Sequence, residues 1–97
     1  MSAATTVLPQ HDELLSRLTA VDSEPHMVER FYPHILTSAG QEKTGLGVAL
    51  ALTLAASDYT DGMPPVLARV VLLRLPSFVR AIVDDPQVQA EALAGLR

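Results

Sequence analysis

The chain has no cysteine and no tryptophan, and among its 97 residues are only two tyrosines, two phenylalanines and a single lysine. Without cysteine there can be no disulfide, no thiolate nucleophile and no cysteine-ligated zinc. Charge is sparse, at 19% of residues against a usual ~25%. The seven bases, Arg17, Arg30, Lys43, Arg69, Arg74, Arg80 and Arg97, are scattered through a chain of net charge −4. No basic stripe exists to displace counterions from a nucleic acid or to hold an anionic membrane. The longest apolar run, residues 46–56, is interrupted by Gly47 and Thr53 and falls well short of the ~18–20 residues that cross a bilayer. Residues 1–7 lack the basic start and apolar block of a secretory signal. They read as a disordered arm ahead of one domain over residues 8–97, and the cytoplasm is the expected compartment.

What is present in quantity is apolar and small. With glycine counted in and tyrosine left out, apolar residues make up about half of the chain, slightly above the usual ~45–50%. A domain of this length buries only about two-thirds of its unfolded surface. The excess therefore raises the question of whether the chain can cover all of its Leu, Val and Ala alone.

Periodicity sorts these residues into helices. Leu14, Leu15, Leu18 and Val21 draw one stripe on a helix from about Pro9 to Val21, with Asp12 and Glu13 where the helix dipole favours acids. Asp22 and Ser23 offer caps for a second helix with Pro25 in its first turn. Met27, Val28, Phe31, Tyr32, Ile35 and Ala39 share one face of it, and Ser38-Ala39-Gly40 reads as its stop. Pro33 lies opposite that face, which predicts a kink opening toward solvent. A third helix, from about Gln41 to Ser57, is apolar almost all round and belongs in the centre of a bundle or at a subunit contact. Residues 58–62, Asp-Tyr-Thr-Asp-Gly, form the strongest turn signal. The fourth segment, from Pro64-Pro65 to Asp84, keeps its phase across Pro76, which predicts one kinked helix or two nearly collinear ones. Its apolar arc spans roughly 220°, about twice what a surface helix needs. Asp84 or Asp85 then caps a last helix with Pro86 at its first position. No stretch alternates with period two. The expected fold is all-α, a small bundle of five helical segments.

No motif for a reaction accompanies this pattern. His26 and His34 share a helix but stand eight residues apart, about 12 Å along its axis, too far to grip one metal, and His11 lies near the first helix start. No serine sits in a GxSxG elbow, and Gly45-Leu46-Gly47 lacks the lysine of a phosphate loop. Asp58 and Asp61 have turn roles, and Asp84 and Asp85 are accounted for by capping. No catalytic residue, metal ligand or cofactor site is assigned, and a minimal enzyme, the third reading, would need an acid–base or nucleophile cluster assembled in space.

The sharper features concern packing. Gly47, Ala51 and Ala55 recur at i, i+4 and i+8, a smooth ridge for a subunit contact or for packing within the monomer. Arg74 falls on the apolar face of the fourth helix, where an unpaired charge is unfavourable. It can reach past its neighbours to water, pair with Asp58 or Glu42, or meet an acid on a partner. Leu73 sits between Arg69 and Arg80 on the polar face, a mixture favoured at interfaces. These residues point to a non-enzymatic helical interaction module, self-associating or an accessory subunit of a larger protein complex. The alternative is a small apolar-ligand or sensory domain whose pocket is walled by Met27, Phe31, Tyr32 and Phe78, with Tyr32 or His34 orienting the ligand. The ten residues 27–36, MVERFYPHIL, resemble an early globin helix. No histidine follows His34 to serve as a proximal haem ligand, and the chain is shorter than reduced globins, so that family is not assigned.

Overall fold

The computed structural model describes residues 11–21, 25–39 and 42–97, with side chains over 12–21, 26–36 and 42–97. Five helices account for nearly all of them: α1 (His11–Val21), α2 (Pro25–Ala39), α3 (Gly45–Tyr59), α4 (Pro65–Ile82) and α5 (Pro86–Gly95). No strand occurs among the described residues, and the protein is an all-α domain. The expected arm over residues 1–7, the place of Pro9, the caps at Asp22 and Ser23 and the stop at Gly40 lie outside the described residues.

Local chemistry sets the helix ends. The α3 start is four residues later than Gln41 because Thr44 is the N-cap, its hydroxyl accepting from the Gly47 amide at 3.0 Å. At the other end Thr60 closes the helix, its amide and hydroxyl both donating to the Ala56 carbonyl. Gly62, at φ 84°, makes the following turn. Asp85 is the N-cap of α5, accepting from the amides of Gln87 and Val88, and Pro86 takes the first position, where no amide is needed. Both α2 and α4 run on through their internal prolines, Pro33 and Pro76, so the fourth segment is one element.

The helices α1 to α4 form a closed ring, each packed on the next and α4 returning to α1, while α5 lies across α3 and α4. Leu14, Leu18, Val28, Phe31, Ile35, Leu52, Phe78 and Ile82 fill the interior. Phe31 and Phe78, from opposite sides of the ring, pack with their planes tilted by 41° and centroids 5.6 Å apart, and Tyr59 approaches Phe31 at 5.1 Å. Helix α5 comes very close to α3. A methyl group on Gly45 would meet Glu91 Cβ and stand 2.7 Å from both the Ala92 amide nitrogen and the Val88 carbonyl oxygen. One turn on, a methyl group on Gly95 would stand 2.9 Å from Ala49 Cβ.

Arg17 ties α1 to the end of α4. Its guanidinium donates to Asp84 Oδ1 at 2.6 Å, to the Ala81 carbonyl at 3.3 Å and to Glu13 Oε2 at 3.2 Å. The hydrogen bond to Asp84 raises its already high pKa further. It also brings positive charge to the negative end of the α4 dipole.

Candidate functional site

The third helix is not buried all round. Seven of its residues, Gly45, Val48, Ala49, Ala51, Leu52, Ala55 and Ala56, face the interior, and all but Val48 and Leu52 are alanine or glycine. The larger side chains point out: Leu46, Leu50 and Leu54 are 69%, 60% and 59% exposed. Spaced at i, i+4 and i+8, they form one ridge about 12 Å long. The physical reason is the crowding on the inner side. Where α2 and α5 approach closely small side chains fit best, and of the four leucines of α3 only Leu52 is taken into the core.

This inversion changes the place of the predicted ridge of small residues. Ala51 and Ala55 are buried in the chain's own core, so a subunit contact through them is closed off by the monomer itself. Gly47 lies half-buried at the first turn of α3, beside the Glu42 carboxylate and the Thr44 hydroxyl. The residues on which close helix approach turns are instead Gly45, Ala49 and Gly95. Sequence reasoning missed them because spacing alone does not say which small residues face a neighbour.

The outer side of α4 continues the apolar surface. Val66, Leu67, Leu72 and Leu73 are exposed. The buried arc of α4 is narrower than the apolar arc in its sequence, formed by Val71, Leu75, Phe78, Val79 and Ile82. Where Thr53 of α3, the outer side of α4 and the end of α5 meet lies a groove of about 350 Å³ lined by Thr53, Leu72, Leu73, Leu75, Pro76 and Leu96. The Thr53 hydroxyl is spent on the Ala49 carbonyl at 2.8 Å, so it adds little polarity there. Arg69 and Arg80 are exposed on either side of Leu73 along α4, as the sequence arrangement anticipates. Arg74 is half-buried. Asp58 Oδ2 lies 2.8 Å from His34 Nδ1 of α2.

The residues suggested as pocket walls differ in their exposure. Phe31 and Phe78 are wholly buried against each other and fill the space between α2 and α4. His34 packs on Tyr59, with centroids 5.6 Å apart, at the edge of this cluster. Tyr32 is half-buried, and burial, with the charge of Asp12 adding to it, raises the pKa of its phenol. Met27 packs against the same core and lines a cleft of about 200 Å³ with Met63, Leu67, Val70 and Val71.

Among the described residues no group of three or more His, Asp or Glu side chains is placed to hold a metal ion. No described helix is long and apolar enough to cross a membrane. Compared with family models, curated proteins and solved structures, the chain matches none.

Proposed function

We propose that this chain is a non-enzymatic helical interaction module that docks on protein through the outer faces of α3 and α4. One observation carries the reading. Of the eight large apolar side chains exposed among the described residues, seven lie on these two adjacent helices, and Val21 is the exception. Single exposed leucines are ordinary on protein surfaces. A ridge and a groove side by side, rimmed by Arg69 and Arg80, have the apolar centre and polar edge of an interface. The partner is either a second copy or a larger complex in which this chain is an accessory subunit.

Two measurements on the full chain test the reading together: molar mass by light scattering and fluorescence of an environment-sensitive hydrophobic dye. Assembly supports it. So does a monomer whose dye signal falls in Leu50→Glu and Leu73→Glu. A well-folded monomer that binds no dye overturns it.

A further inference from the structure

We infer that the occupant of this surface is a second copy of the chain, packed about a two-fold axis so that the leucine ridge of each protomer fills the groove of the other. The inference rests on the interaction-module reading and names its partner. A two-fold contact requires one surface to complement itself, and three features of this face meet that requirement.

Shape is the first. The ridge of Leu46, Leu50 and Leu54 meets the groove at Thr53, which follows Leu50 by three residues on α3 and lines the groove with Leu72, Pro76 and Leu96. A rotation about an axis between them exchanges protrusion for depression.

Charge is the second. On the α2 side of the ridge stand Glu42, whose carboxylate lies by Gly47, and Asp58, bonded to His34. On the far side of the groove stand Arg69 and Arg80. No acid occurs between Asp61 and Asp84, and no charge of either sign between Gly45 and Ser57. With Lys43 beside Glu42, the α2 edge is acidic by one charge, the α4 edge is basic by two, and α5, whose Leu96 lines the groove, carries Glu91 and Arg97, one charge of each sign. The same rotation brings acidic edge toward basic edge, so two chains of net charge −4 meet through a surface where like charges are not opposed.

Area is the third. Leu46, Leu50, Leu54, Leu72 and Leu73 are 49–69% exposed, together roughly as much open surface as three free leucines. A standard interface takes about 800 Å² from each partner. Each protomer contributes this apolar centre once to its own share, and the polar edges supply the rest.

Sedimentation equilibrium of the full chain across micromolar to millimolar concentration is expected to give twice 10.4 kDa at the upper end, falling on dilution. Leu50→Glu and Leu73→Glu are each expected to weaken the dimer by at least roughly tenfold with unchanged helical circular dichroism, since both side chains are open in the monomer. Arg69→Glu with Arg80→Glu is expected to weaken it, as is Glu42→Lys with Asp58→Lys, while an equimolar mixture of the two double variants recovers a heterodimer. A dimer indifferent to both leucine variants, or a mixture that stays monomeric, overturns the inference. A wild-type monomer at every concentration also overturns it. If that monomer still binds the hydrophobic dye through Leu50 and Leu73, the interaction-module reading stands with a different partner; if it binds none, both fall.

Discussion

At the scale of single residues the fold depends most on side chains that are missing or small. Gly45 is the clearest case. Glycine-to-alanine changes inside exposed helices gain up to ~1 kcal/mol from propensity, but here the added methyl group meets backbone atoms of α5 at 2.7 Å, which cannot swing aside as a flexible side chain would. Gly45→Ala is therefore expected to destabilise the protein by about 1–3 kcal/mol, seen as a lower midpoint in urea. Tyr32 makes a different demand. Its phenol pKa is raised in the folded chain, first by burial and then by Asp12, so the unfolded chain gives up this proton at lower pH than the folded one. The contribution is intact below the ordinary tyrosine value of about 10. It is lost as pH rises from there through the raised folded value, because the folded state then binds more protons than the unfolded state. Unfolding free energies measured from pH 8 to 11 should accordingly fall less steeply for Tyr32→Phe than for the wild type, about the ~pH 10 reference; equal slopes would count against it.

At the scale of elements, the sequence carries the identity of the helices well and their facing only in part. Asp85-Pro86, the 58–62 turn and the continuous phase across Pro76 mark α5, the α3–α4 boundary and the unity of α4, because caps, turns and periodicity are local. The start of α3 moves to Gly45 because Thr44 supplies a cap that the uninterrupted apolar pattern conceals. The exposed apolar face is legible by halves. Arg69, Leu73 and Arg80 are readable as an exposed mixed face because α4 has one polar side. Leu46, Leu50 and Leu54 are not, since a helix apolar all round has no phase, and its direction is set by how closely α2 and α5 approach. Arg17 escapes sequence reasoning for a related reason: its partners Asp84 and Ala81 come from the far end of the chain. It joins α1 to α4 through contacts whose side chains remain substantially open to water, so its worth is that of a surface network. Arg17→Ala is expected to cost about 1 kcal/mol, and the difference from wild type should shrink in high salt. A loss unaffected by salt would assign the effect to packing of the arginine stem.

At the scale of the whole molecule, the excess of apolar residues is not absorbed by the fold but moved to one side of it. The ring of α1 to α4 closes around Phe31 and Phe78 with alanines where α3 is crowded, and seven larger apolar groups are left on the outer faces of α3 and α4. Such a chain gains stability from whatever covers that face, by mass action: a partner that binds only the folded state at a hundred times its dissociation constant adds about 2.7 kcal/mol. In a domain of 60–100 residues each kcal/mol moves the thermal midpoint by roughly 4–8 °C. When the partner is a second copy, raising the protein concentration is itself the addition of ligand. The thermal midpoint of the wild type should therefore climb by several degrees, on the order of 5–10 °C, between dilute and concentrated samples, whereas Leu50→Glu should unfold at one temperature throughout. The variant removes the dependence without removing any core contact, since Leu50 touches solvent in the monomer. A wild-type midpoint that does not move with concentration, measured by scanning calorimetry, would show that two copies do not cover the face.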